Sequence, residues 1–252
     1  MVLRMASGDL NAYVALIGFV AGIITGSLAL KKGFSLGRAH ETNKTSGAVL
    51  PLLMVGILVL ILVGSSLLIS SKTGPGSMHA PIWIALIGGL VFGAFAQKSR
   101  MCFAGSIRDI FLMKNFDLFT VIAGLFVVML VYNVATGNFA FSFTGKPVAH
   151  SQHLWNILGM YIVGFAATLA GGCPLRQLVL AGQGSSDAAV TGLFVGAALC
   201  HNLKLASAAA APATKEAAAV IGGPSAEGKI AAVICIILLF AIAFVGNKRK
   251  TQ

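Results

Sequence analysis

Seven apolar runs, each close to membrane length, leave this chain few folds to choose from. They cover roughly 11–30, 48–70, 81–97, 117–136, 153–171, 187–204 and 229–246. About 20 apolar residues in a helix cross the hydrocarbon core of a bilayer, where every backbone N–H and C=O needs an internal partner. Charged residues make up only 10% of the 252, against about 25% in soluble domains. The sequence therefore predicts an all-α integral membrane protein, a single polytopic domain over 1–252 with about seven transmembrane helices.

The net charge of +11 fits the same reading. Lys31, Lys32, Arg38 and Lys44 follow the first run, Lys98, Arg100, Arg108 and Lys114 the third, and Lys248, Arg249 and Lys250 the last. Basic residues collect in cytoplasmic loops, so the pattern predicts an outer N-terminus and a cytoplasmic C-terminus, and it excludes nucleic acid as partner. The first run lacks a small-residue cleavage site and reads as a retained helix. The four cysteines form no C-x-x-C pair and no zinc spacing, so neither a metal nor another cofactor is expected, and no catalytic residue.

Two apolar segments, 102–113 and 174–183, are too short to cross and read as half-helices or re-entrant elements. A shift of 67 residues lays Gly22 on Gly89, Gly26 on Gly93 and Ser35 on Cys102, and a shift of 71 lays Cys102 on Cys173. Internal repeats over 18–70, 89–136 and 160–204 are thereby suggested, each a helix with a small-residue face, a polar turn and a short helix. The Ala-rich stretch 206–228 reads as a flexible loop.

Each cysteine at a break sits where irregular backbone needs a reason. Gly171 and Gly172 end one run, Cys173 stands at an N-cap position, and Pro174 suits the first turn of a new helix. The free N–H groups of Leu175, Arg176 and Gln177 would then open an anion site, with the Arg176 charge beside it. At the other break Cys102 precedes Gly105, Arg108 and Asp109, the last two reading as an ion pair that fixes the turn. A neutral thiol is a weak donor with a soft sulfur, suited to a large sulfur- or selenium-containing ion that must be held and released. Free cysteine is also a common small core residue, and both readings are open for Cys102, Cys173 and Cys200.

The segments KSRMCFAGSIRD (98–109) and GGCPLRQL (171–178) together resemble the YeeE/YedE sulfur-transport family, with GQGSSDA and the CHN ending resembling its YedE, selenium-transport branch. The resemblance implies a multi-pass protein of the bacterial inner membrane that takes up thiosulfate or a related sulfur or selenium species. It places Cys102 and Cys173 on the substrate pathway, with Arg100, Arg176, Gln177, Ser35 and Cys200 beside them. Gly105, Gly171, Gly172, Pro174 and Asp109 would support the turns. Longer members have two related halves, so a second membrane half or a homo-oligomer is implied, and a cytoplasmic sulfurtransferase-like carrier is a further implied partner. The alternative is a non-transporting subunit or a thiol-dependent sulfur-transfer protein.

Overall fold

The computed structural model describes residues 1–34, 43–64, 80–143, 150–185, 188–205 and 222–248. Ser35 and most of the 206–228 loop lie outside them, and 226–228 belong to the last helix. Ten helices and no strand occur among the described residues. In chain order they are α1 (Val2–Ala6), α2 (Leu10–Lys31), α3 (Lys44–Val63), α4 (Ile82–Lys98) and α5 (Phe103–Met113). There follow α6 (Asp117–Ala135), α7 (His153–Leu169), α8 (Pro174–Gly182), α9 (Ala188–Asn202) and α10 (Ala226–Lys248).

Among the described residues, five stretches are long and apolar enough to span a membrane: Leu10–Lys31, Lys44–Val63, Ile82–Met113, Asp117–Ala135 and Ala226–Gly246. The bent pair α7 and α8 makes a sixth if it is one span. The chain is an all-α, multi-pass membrane protein. Helix α9, at 15 residues, is shorter than the ~20 of a full crossing. Ile82–Met113 also holds both α4 and α5 in one 32-residue apolar stretch.

The chain divides into two compact units. The larger holds 1–37, 102–173 and 196–252, and its centre is the packing of α2 on α7. Glycines make that contact possible. A Cβ at Gly18 would strike the Ile157 carbonyl, one at Gly22 the Tyr161 carbonyl, and one at Gly164 the Phe19 carbonyl. Small residues four apart let backbones approach where lipid offers no hydrophobic drive for association. Because Gly18 meets Ile157, Gly22 meets Tyr161 and Gly26 meets Thr168, the two helices run parallel.

Helix α10 runs the same way along α7. Lys229 Nζ lies 5.6 Å from the Trp155 ring near the start of both helices, and Phe240 meets Phe165 further on at 5.2 Å. Phe34, Phe165 and Leu169 form a buried cluster with Leu30, Leu239 and Ala243 packed around it. Helix α6 returns toward the start of α2, where Asn133 Nδ2 donates to the Ala6 carbonyl at 3.1 Å. Asp9 caps α2 by accepting from Asn11 N at 3.0 Å, and the extended residue Ser142 pairs with Asp9 through a single parallel bridge.

The smaller unit, 38–101 and 174–195, contains α3, α4 and α8. Here α8 packs on both longer helices, and Gly184 closes on the Gly47 carbonyl with a positive φ of 87°. None of α3 is buried.

Candidate functional site

The ends of α2, α4 and α7 share a construction that α6, α8 and α9 also use. Helix α2 closes with Phe34 N donating to Ala29 O at 3.0 Å, with Gly33 left-handed at φ 96°. Helix α4 closes with Met101 N on Ala96 O at 3.0 Å and Arg100 at φ 52°, and α7 with Gly172 N on Ala167 O at 2.9 Å and Gly171 at φ 75°. A left-handed residue followed by this long-reach bond is a frequent way to stop a helix. What recurs is the residue two places past the left-handed one: Ser35, Cys102 and Cys173.

Past the second end the chain enters α5, and Cys102 caps it in extended conformation (φ −150°, ψ 114°). Its Sγ accepts from Gly105 N at 3.2 Å. Glycine suits position 105, because a Cβ would lie 3.1 Å from Cys102 Cβ and 3.2 Å from its Sγ, which would have to give way. Sulfur replaces the hydroxyl or carboxylate oxygen that normally satisfies the first free N–H groups of a helix.

The same sulfur accepts a second hydrogen bond, from Cys173 N at 3.4 Å. The two thiols also interact side chain to side chain, and both residues are buried and unoxidised. The breaks predicted separately from the sequence therefore meet at one point. Two backbone N–H groups converge on Cys102 Sγ, and its thiol meets that of Cys173, so the pair is a small, buried, hydrogen-bonded sulfur site. The 71-residue shift was the sequence signal for this meeting, although register alone does not bring two turns into contact.

The remaining candidates have distinct places. Pro174 opens α8, and Gly171 and Gly172 form the left-handed end of α7. Arg176 lies on α8 with its Nη1 buried and no hydrogen-bond partner among the described residues, and Gln177 on the same helix is buried. Arg100 takes the left-handed seat that glycine fills at the other two ends. Arg108 Nη2 pairs with Asp109 Oδ1 at 2.8 Å, the ion pair expected at that turn. Cys200 is exposed on α9 and Cys235 exposed on α10, so neither joins the buried pair.

Comparison with known proteins bears on the same residues. The profile of the sulphur transport family matches residues 98–252, which include both cysteines. A thiosulfate transporter TsuA of Spirochaeta thermophila is 30% identical over 116 residues, 46% of this chain and 34% of that protein. The TsuA of Escherichia coli is 32% identical over 110 residues, 42% of this chain and 30% of its own length. The matched stretch thus spans about a third of these relatives. No solved structure matches. With the family profile covering more than half its length, the chain belongs to the YeeE/YedE sulphur-transport family.

Proposed function

We propose that this chain is a permease of the bacterial inner membrane that passes thiosulfate, or a selenium analogue of it, over the Cys102–Cys173 pair. The observation that carries this reading is the convergence of two backbone N–H groups on one buried thiol. Those donors favour negative charge at the sulfur position, and the thiol pair exchanges its own S–H contact for a weak bond to the terminal sulfur of the anion. Each such bond is worth about 1 kcal/mol net, enough to hold an anion briefly and too little to trap it. A fixed ion pair in the same dry place would bind more strongly and release more slowly. Arg100, Arg176, Gln177 and Ser35 are read as the flanks of this path, and the names of the TsuA relatives favour thiosulfate over selenium species. Transport without chemical conversion is the reading, so no catalytic residue is assigned.

The parallel course of α2, α7 and α10 supports the proposed topology. If α3, α4 and α6 cross and α5 does not, α7 returns to the direction of α2. A single further crossing between α7 and α10 restores that direction again. The basic ends of α2 and α10 then share the cytoplasmic face, with the N-terminus outside. This supports α5 as a re-entrant element.

The test is uptake of labelled thiosulfate into proteoliposomes holding this chain alone, with sulfate and selenite as comparisons. Cys102→Ala and Cys173→Ala should each lower thiosulfate uptake by about tenfold or more, the equivalent of about 1.4 kcal/mol at the rate-limiting contact. Wild-type rates in both variants would sink the proposal. The limited length shared with the relatives favours one second reading, in which flux needs another membrane chain or a second copy. A folded chain without flux that gains it on adding a partner membrane protein would establish that alternative. A cytoplasmic sulfurtransferase-like carrier would accelerate release on the inner side, and its addition inside the vesicles tests that role.

A further inference from the structure

At the opposite end of α7 from the thiol pair, the larger unit gathers a second set of polar groups. Arg4 Nε donates to Asp9 Oδ2 at 2.6 Å, and Asp9 is fully buried. Asn11 Nδ2 donates to Asp9 Oδ1 at 3.1 Å and to the Phe143 carbonyl at 2.8 Å. The Phe143 ring in turn lies edge-on to His153, 5.2 Å between centroids. His150, three residues earlier and only 7% exposed, is held by Asn156 Nδ2 donating to its carbonyl at 3.1 Å. It feels the charge of Arg4 and lies beside His153.

Both histidines have a buried Nδ1 with no hydrogen-bond partner among the described residues. Leaving such a group unpaired costs about 1–3 kcal/mol, and His150 also feels the Arg4 charge. The set also lies at the first turn of α7, where the helix dipole favours negative charge. Asp9 has its oxygens engaged by Arg4 and Asn11. A cation would be repelled by Arg4, whereas a small oxyanion can accept from a guanidinium and from an imidazole N–H.

We propose that Arg4, His150 and His153 form a binding station for a small divalent sulfur oxyanion, separate from the thiol pair. The length of α7, 17 residues or about 25 Å, stands between the two. Taken with the permease reading, on which it rests for its role, the station lies at the outer mouth and collects the anion before it reaches sulfur. The thiols select for softness; the histidine station selects for charge.

The station responds to pH. Burial, then the Arg4 charge, then His153 hold the His150 imidazole below its ordinary value near 6.5. Other titrating or charged groups on the elements around it are the Met1 amino group and Arg4 of α1, Asp9 at the cap of α2, and Lys229 of α10 over Trp155. A bound dianion raises the histidine affinity for protons, so affinity for the anion rises as pH falls, by roughly tenfold per unit of pKa difference between the free and bound forms. The free protein shows the converse. A depressed folded-state value gives stability that is present above pH 6.5 and lost as pH falls through the folded value, and the anion should restore it.

The experiment is equilibrium binding of labelled thiosulfate to the full chain in nanodiscs at pH 5.5, 6.5 and 7.5, with the thiol pair removed by Cys102→Ala and Cys173→Ala. Binding should persist, tighten about fivefold or more toward pH 5.5, and fall about tenfold on adding His150→Gln and His153→Gln. Sulfate should compete. A readout that needs no variant is the thermal unfolding of wild type at pH 5.5, which thiosulfate should raise relative to chloride of equal ionic strength. Binding indifferent to pH and to the histidine changes, or no stabilisation by thiosulfate, overturns the station. Histidine-dependent binding in a chain that gives no flux overturns the permease reading and leaves the station standing. Flux with histidine-independent binding does the reverse.

Discussion

Helices α2 and α4 are written on one plan and used in opposite ways. Each carries glycines four apart, and each closes with a left-handed residue two places before Ser35 or Cys102. On α2 the glycine face is spent on α7, so that backbone touches backbone at Gly18 and Gly22. On α4 a Cβ at Gly88, Gly89 or Gly93 would meet no atom of the described residues within 4 Å. A small-residue stripe thus licenses close packing without enforcing it. The partner must also present its own bare backbone, as α7 does at Gly164.

The sharpest way to break this comparison is to fill both stripes with the same side chain. Gly22→Leu drives four carbons into the Tyr161 carbonyl and should cost about 3 kcal/mol or more, because the obstacle is backbone. Gly89→Leu places the same atoms in open space and should change stability by less than about 0.5 kcal/mol. Thermal unfolding of the two variants in the same detergent measures the difference. Equal losses would show that the α4 face is occupied in the assembled protein.

A smaller effect is expected where α5 leaves its break. Gly105→Ala sets a methyl 3.2 Å from Cys102 Sγ, so the cap bond must lengthen. The loss should be about 1 kcal/mol, the usual worth of an N-cap. Uptake should fall with it, because the same sulfur also receives the Cys173 N–H. Cys102→Ser separates the two roles: a hydroxyl caps the helix at least as well, so stability should hold while thiosulfate uptake drops. Full uptake through serine would remove the argument for softness.

Much of this was legible in the chain itself. Runs near 20 residues fixed the class, and the 67- and 71-residue shifts pointed to the helix ends before Ser35, Cys102 and Cys173, although α6, α8 and α9 close with the same kind of bond. The meeting of Cys102 with Cys173 was not legible, because residue spacing gives register along a helix and says nothing of which turns face each other across space. Cys200, a weaker candidate than the other two thiols despite its polar neighbours, is exposed. His150 and His153 carried no pattern in the sequence, since their neighbour Arg4 is 146 positions from His150 and reaches them only through the packing of α1 and α2 against α6 and α7. The 187–204 run reads as a full span from its composition, whereas the helix within it, α9, is 15 residues long.

The smallest effect in the comparison concerns the left-handed seat before each polar residue. Gly33 and Gly171 fill it without strain, whereas Arg100 holds φ 52° with a Cβ. A side chain there costs about 1–2 kcal/mol, partly offset by the greater freedom glycine gives the unfolded chain. Arg100→Gly should therefore stabilise the fold by roughly 0.5 kcal/mol, while Gly171→Ala should destabilise it by about 1 kcal/mol. An arginine kept in a seat that glycine suits better has a use beyond the turn, and attraction of an anion is the use a guanidinium serves. The two measurements on Arg100→Gly should then move apart, with the unfolding temperature rising slightly and the KM for thiosulfate uptake increasing. An unchanged KM would reduce Arg100 to a feature of the helix end.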